Sequence, residues 1–96
     1  MPHVALLDDS EIQARLDGLD GWKLSANAIE RDWKLDDFAA AIAFVDRVAE
    51  LAEQANHHPD ILIHGWNKVR LTLSTHSEGG LTESDFALAA RIDGLA

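Results

Sequence analysis

The 96-residue chain lacks cysteine and tyrosine altogether and contains only two prolines. Without cysteine the protein can form no disulfide bond, no cysteine-ligated metal site and no thiol nucleophile, and it suits a reducing compartment. Basic residues are also few, because 8 Lys and Arg face 17 Asp and Glu, giving a net charge of -9. This excess would repel a polyanion, so we expect no binding to nucleic acid.

Long apolar runs are missing as well. No stretch approaches the roughly 20 residues needed to span a bilayer, and the first residues have no basic segment of the kind that opens a secretory signal. The sequence therefore predicts a cytoplasmic protein with no membrane association. Hydrophobic residues make up 47% of the chain and charged residues 26%, without repeats or linkers, so residues 1–96 are expected to form a single domain.

Periodicity along the chain predicts seven elements. A Ser10-capped helix to about Asp17 and a short strand at 22–24 precede a strand over 29–35, a helix over 38–56, strands over 61–66 and 69–76, and a final helix. Pro59 is expected to end the long helix, and Thr82 with Asp85 has the capping-box spacing that begins the last one. The order α-β-β-α-β-β-α predicts an α+β two-layer sandwich, with helices covering one face of an antiparallel four-stranded sheet.

The long helix has an unusually wide apolar surface. Its polar side chains occupy about one third of the circumference, while Phe38, Ile42, Val45 and several alanines occupy the remainder. A single sheet face needs a narrower apolar arc, so we predict a homo-oligomer in which another subunit covers the excess. The alternative is a helix that is covered completely within the monomer.

Histidines near the end of this helix are the main candidates for chemistry. Glu53 and His57 are four residues apart, so a helix would place them on one face, where the carboxylate and the helix dipole favour a protonated imidazole. His58 would have different surroundings, and two such histidines can divide the acid and base roles. Two alternatives stay open: a histidine that only interacts with the helix dipole, or a metal site in which His64 and His76 join the pair.

The spacing of these residues resembles a known family. Glu53, His57-His58-Pro59, Trp66, His76 and Asp85 occur in the order and spacing typical of the pterin-4a-carbinolamine dehydratases, and the similarity extends from Gly21 to the end of the chain. One departure is that six residues separate Pro59 from Trp66. A bulge or an altered turn near Gly65 is expected to accommodate the extra residue.

The resemblance implies a hydro-lyase that converts 4a-hydroxytetrahydrobiopterin to quinonoid dihydropterin in tetrahydrobiopterin recycling. It implies neither metal nor cofactor, a dimer or tetramer, and an aromatic amino acid hydroxylase as the pathway partner. A non-catalytic protein-binding or transcriptional coactivator module is the alternative. The family pattern carries over to the following residues: His57, His58 and His76 as catalytic histidines, Glu53 and Asp85 as their supports, and Trp22 near the pterin.

Plainer roles are open for the supporting residues. Glu53 could be a surface acid of the helix, Asp85 a charge at a helix N-terminus and Trp22 a core residue. Neither the residues nor the resemblance identifies which histidine is the acid and which the base.

Overall fold

The computed structural model describes residues 5–95, which form three helices and one four-stranded sheet. The elements are α1 (Asp9–Asp17), β1 (Lys23–Ser25), β2 (Ala28–Lys34), α2 (Phe38–Ala55), β3 (Asp60–His64), β4 (Lys68–Leu73) and α3 (Glu83–Asp93), with one 3-10 turn at His76–Glu78 before α3. All neighbouring strands are antiparallel, in the order β1-β2-β4-β3. The predicted α+β sandwich and its element order are confirmed.

The core lies between one face of the sheet and the helices. Alternate residues of the central strands, among them Ile29, Val69, Leu71 and Leu73, are fully buried. Phe44 and Val48 of α2 and Leu88 and Ile92 of α3 belong to the same buried cluster. The period-two pattern of β4 and the apolar faces of the helices thus meet as the sequence predicts.

Arg31 interrupts the apolar side of β2, and the structure explains how it is accommodated. Its guanidinium lies 4.9 Å from the centre of the Trp33 ring and donates to Asp93 Oδ1 at 2.9 Å. A cation over an indole face and beside a carboxylate can be partly buried without being left unpaired. Arg31 therefore packs at the edge of the core, beside the C-terminal end of α3.

Helix boundaries differ from the predictions at two ends. Asp8, not Ser10, caps α1, in a capping box with Glu11. Helix α2 ends at Ala55 because Asn56 takes the left-handed conformation, with φ 48° and ψ 45°. The His57 N–H then bonds to the Ala52 carbonyl, a standard helix C-terminal closure. Pro59 lies beyond this point and does not end the helix.

The β3–β4 hairpin shows where the extra residue lies. Pairing runs without interruption from Asp60 opposite Thr72 to His64 opposite Lys68, so no bulge is present. The loop between them contains Gly65 and Trp66, both with positive φ, at 54° and 60°. Of the two expected solutions, the altered turn is the one found, and the strand register is fixed.

An ion pair joins the first helix to the last. The Arg15 guanidinium donates to both carboxylate oxygens of Glu83, in the first turn of α3. This hydrogen bond lowers the pKa of Glu83 and raises that of Arg15. Between residues 5 and 95, no helix is both long enough and apolar enough to cross a membrane.

Candidate active site

Two segments that carry histidines meet at one end of the sheet. Asp60 at the start of β3 is opposite Thr72, near the end of β4. The segment 57–59 therefore enters the sheet where the segment 74–76 leaves it. The chain then returns through Gly79 and Gly80 to the N-terminus of α3, and Thr75 forms a bridge with Gly80. Sheet topology thus gathers residues that are far apart in the sequence.

His57 pairs with Asp85 and not with Glu53 as predicted. Its Nε2 lies 2.6 Å from Asp85 Oδ1, and the two side chains are 14% and 0% exposed. The predicted pairing assumed that the helix continues through His57. The left-handed Asn56 turns His57 away from the helix, so the four-residue spacing no longer places it beside Glu53.

Asp85 is held from several directions. As the third residue of α3, it closes the capping box by accepting the Thr82 backbone N–H at Oδ2, at 2.9 Å. The same oxygen accepts the Thr75 hydroxyl at 2.9 Å. Burying a carboxylate is costly unless it accepts hydrogen bonds, and these donors together with His57 meet that need. The predicted capping box is confirmed, and it orients the carboxylate toward His57.

Glu53 interacts with the neighbouring histidine. Its Oε2 lies 2.5 Å from His58 Nε2, and the two side chains are 76% and 58% exposed. Water and salt screen a pair as open as this one, so it is much weaker than its short distance suggests. The site thus contains two carboxylate–imidazole pairs, one buried and one exposed.

His76 lies just beyond the sheet. The sequence predicts it on the polar face of a strand that reaches residue 76, but β4 ends at Leu73 and His76 begins the 3-10 turn. The strand ends early because the Thr75 side chain forms hydrogen bonds with Thr82 and Asp85 in the interior, while its backbone pairs with Gly80. His76 is exposed there, as predicted, although not as a strand residue.

An open cleft of about 340 Å³ adjoins His76. Asp60, Thr72 and Ser74 line it from the sheet, and the β1–β2 turn forms the opposite wall. Ser74 holds that turn in place by donating to the Asn27 carbonyl at 3.0 Å. His57 and His58 are not among the residues that line the cleft. They lie on the segment that leads into Asp60, three and two residues before it.

Trp22 directly precedes β1 and is a core residue. It is 6% exposed, packs edge-on against Trp33, and donates its indole N–H to Asp93 Oδ1 at 2.9 Å. Asp93 is the last residue of α3, eight residues or about 12 Å along the helix axis from Asp85. Of the two roles considered for Trp22, its burial and its contact with Trp33 favour the core role.

His64 is separated from the other histidines by the length of β3. It lies four residues from Asp60, about 13 Å along an extended strand, beside the hairpin loop. Within residues 5–95, no three His, Cys, Asp or Glu side chains are grouped closely enough to hold a metal ion. The metal arrangement that required His64 near His57 is not what this fold produces.

Three residues at this site were not predicted as site residues, although Thr82 was predicted to cap α3. Thr75 and Thr82 contact Asp85 or each other, and Asp60 lines the cleft. Thr75 gave a signal, because it is a polar residue on the otherwise apolar side of the β4 alternation. Its hydroxyl on that side required a buried partner.

Comparisons with known proteins identify the family. A profile of the family described as Pterin 4 alpha carbinolamine dehydratase matches residues 5–95. A Roseiflexus castenholzii protein, provisionally named pterin-4-alpha-carbinolamine dehydratase, is 57% identical over 89 residues, which cover 93% of this chain and 95% of that protein. The fold and the site define a pterin dehydratase-like α+β protein. The chain belongs to the pterin-4-alpha-carbinolamine dehydratase family.

Two solved structures are similar. One, described as a transcriptional coactivator/pterin dehydratase from Brucella melitensis, has a TM-score of 0.88 and 39% identity, covering 94% of this chain and 97% of that one. The other is described as a pterin dehydratase-like protein that is a RuBisCO assembly factor in the alpha-carboxysome. It has a TM-score of 0.62 and 30% identity, covering 78% of this chain and 86% of that one.

Proposed function

We propose that the protein dehydrates 4a-hydroxytetrahydrobiopterin to quinonoid dihydropterin by histidine acid–base catalysis, in tetrahydrobiopterin recycling. The observation that carries the proposal is the buried His57–Asp85 pair, at the end of the sheet where the cleft beside His76 opens. Membership of the family supports the choice of substrate. The resulting enzyme is a 4a-hydroxytetrahydrobiopterin dehydratase, a hydro-lyase.

The reaction needs two proton transfers. One proton must reach the departing 4a-hydroxyl so that it leaves as water, and one must be removed from the ring nitrogen next to that carbon. Imidazole side chains can both donate and accept protons in general acid–base catalysis. We assign these transfers to His57, His58 and His76, with Asp85 and Glu53 orienting the first two through the contacts described above.

Substrate would occupy the cleft beside His76. Ser74 and Thr72 offer hydroxyl groups there, and Asp60 offers a carboxylate that could accept from the N–H groups of a pterin ring. A neutral, planar heterocycle is compatible with the acidic surface of this protein, whereas an anionic ligand would be repelled. We propose that this cleft, bordered by the segment that carries His57 and His58, is the pterin site.

The experiment is a dehydration assay on purified protein. The carbinolamine is generated in situ, and its loss is followed by absorbance for wild type and for His57→Ala, His58→Ala and His76→Ala. We expect each variant to lose about 100-fold or more of the rate if its imidazole transfers a proton, while His64→Ala, at the other end of β3, serves as the matched control and keeps it. An inactive wild type, or three variants as fast as wild type, would refute the enzymatic proposal.

The second candidate is a protein-binding module, because α2 exposes apolar side chains. Phe38 is 54% exposed and Ile42, one turn further on, is 38% exposed. The two similar structures are also described as a transcriptional coactivator and as an assembly factor. An inactive wild type would favour this candidate, which we would then test with Phe38→Glu in pull-down experiments against a defined partner.

The same apolar face supports the predicted homo-oligomer, a dimer or tetramer in which a second copy covers Phe38 and Ile42. Light scattering measures the mass directly, and a value near the 10.5 kDa of one chain would refute the oligomer. The proposed setting is the cytoplasm, with an aromatic amino acid hydroxylase producing the carbinolamine.

A further inference from the structure

Two buried hydroxyl groups form a chain behind Asp85. Thr75 Oγ1 lies 2.8 Å from Thr82 Oγ1 and 2.9 Å from Asp85 Oδ2. Thr82 and Asp85 are 0% exposed and Thr75 is 9% exposed. Each of these polar groups must therefore be satisfied by its protein neighbours, because a buried group left without a partner loses the full value of its hydration.

The hydrogens in this chain can point in only one direction. A carboxylate accepts and does not donate, and a hydroxyl has one hydrogen to give. Thr75 donates its hydrogen to Asp85 Oδ2, so it has none left for Thr82. Thr82, whose oxygen already accepts the Ser84 backbone N–H at 3.2 Å, must then donate to Thr75. The hydrogen bonds run from Thr82 through Thr75 to Asp85.

The two carboxylate oxygens of Asp85 have different partners. Oδ2 of Asp85 is occupied by the Thr75 hydroxyl and the Thr82 backbone N–H, and the other oxygen, Oδ1, is the one that faces His57 Nε2. A carboxylate has no hydrogen to donate, so His57 Nε2 is the donor in this hydrogen bond. A neutral His57 then carries its proton on Nε2, and its basic nitrogen is Nδ1.

We propose that Thr75 and Thr82 are positioning residues that hold the Asp85 carboxylate toward His57 and thereby fix His57 as its Nε2–H tautomer. Nδ1 is then the nitrogen that exchanges protons with substrate. This second step rests on the proposed function, since it requires that His57 take part in the dehydration. The tautomer itself does not depend on any activity and can be measured on the free protein.

The direct test is long-range ¹H–¹⁵N spectroscopy of the histidine rings in ¹⁵N-labelled protein above the titration range, with His57 assigned by comparison with His57→Gln. Wild type should show His57 as the Nε2–H tautomer. An Nδ1–H tautomer in wild type would overturn the proposal without any further variant, even if Thr75→Val failed to fold.

The variants then test the two threonines. Thr75→Val keeps the shape of the side chain but removes its hydroxyl, so we expect mixed tautomers at His57 and a kcat about tenfold lower, the effect of losing one hydrogen bond to a charged group. Thr75→Ser restores the hydroxyl and should restore both readings to within about twofold. Thr82→Ser retains the hydroxyl that donates to Thr75, so His57 should remain the Nε2–H tautomer in that variant.

The outcomes separate this proposal from the function. If Thr75→Val retains a pure Nε2–H tautomer and the kcat of wild type, the threonines do not position His57, although the dehydratase activity stands. If wild type is inactive but Thr75→Val changes the tautomer and Thr75→Ser restores it, the hydroxyl chain is established and the function is wrong. A loss of kcat that serine does not restore would mean that the threonine acts only through packing.

Discussion

Replacement of Asp85 by Asn tests the centre of the site, because the change keeps the shape of the side chain and alters only its hydrogen bonding. Asn has one acceptor oxygen and one NH₂ donor. The Thr82 backbone N–H cannot reverse its direction, so the amide oxygen must face it. The NH₂ group then faces His57, which can accept at Nε2 only as the opposite tautomer. We therefore expect Asp85→Asn to fold and to switch His57 to Nδ1–H.

The magnitude follows from the same contacts. Asp85 accepts from His57, Thr75 and the Thr82 backbone. Replacing the charged carboxylate by a neutral amide lowers the contribution of each hydrogen bond to stability from about 1.5–3 to about 1 kcal/mol. Because the amide carries no charge to bury, part of this loss is offset. We expect a net loss of about 1–2 kcal/mol, which is small beside a typical stability of about 5–15 kcal/mol. The dehydration rate should fall by about 100-fold or more because the wrong nitrogen is basic.

The measurements are urea unfolding followed by tryptophan fluorescence and the dehydration assay, with Asp93→Asn as the matched control. Asp93 lies on the same helix and accepts from Trp22 and Arg31, so its variant should lose similar stability at unchanged kcat. An Asp85→Asn enzyme within threefold of the wild-type rate, or a loss that disappears once the protein is kept fully folded, would refute the reasoning.

Three further predictions concern residues outside the histidines. Trp22→Phe removes the indole bond to Asp93 and should cost about 1–2 kcal/mol of stability without changing KM; a raised KM would place Trp22 back beside the pterin. Asn56→Ala should lower the free energy of unfolding by about 1 kcal/mol, because residue 56 is in the left-handed conformation, whereas Asn56→Gly should leave it nearly unchanged. Equal urea midpoints for the two variants would contradict this. Arg15 lowers the pKa of Glu83 below its ordinary 4.5, so the stability that this pair adds is present above that value and is lost as pH falls through the lower folded pKa. The free energies of unfolding of wild type and Glu83→Gln, measured by urea titration, should therefore converge at acid pH. A difference between them that stays constant with pH would contradict a stabilising role for the pair.

Most of the fold was predictable because it depends on local periodicity. Val69, Leu71 and Leu73 alternate with polar residues, and the same alternation is seen in the burial of β4. The spacing of Thr82 and Asp85 was sufficient to predict the start of α3, since a capping box involves residues three apart. Predictions of this kind succeed when both partners lie within one turn of a helix or on one strand.

The pairing within the site was not predictable in the same way. Whether His57 faces Glu53 or Asp85 depends on the conformation of one residue, Asn56, which the sequence allows to be either helical or left-handed. Pro59 disfavours a helical conformation at His58 and so indicates a helix end close by, but it does not specify the residue. The true partner of His57 is 28 positions further along the chain, and only tertiary packing brings it there.

The error about His76 has a related cause. Alternation along β4 predicts a longer strand because Thr75 continues the spacing of Val69, Leu71 and Leu73. In the structure, Thr75 is a buried donor, and satisfying it turns the chain out of the sheet toward Gly80. A polar side chain on an apolar face therefore marks the place where the regular pattern ends and the site begins.

The two carboxylate–imidazole pairs suit different tasks because they differ in burial. His57 and Asp85 are nearly sealed from water, where a hydrogen bond is stronger and orientation is maintained. His58 and Glu53 lie in the solvent, where an ion pair forms and breaks easily and protons exchange with water. A dehydration that delivers one proton and removes another needs a base with a fixed basic nitrogen and an acid that regains its proton from solvent. In the proposed mechanism His57 is then the base that takes the ring-nitrogen proton, and His58 is the acid that protonates the departing hydroxyl. His57 must release its proton and His58 must regain one from solvent before the next turnover.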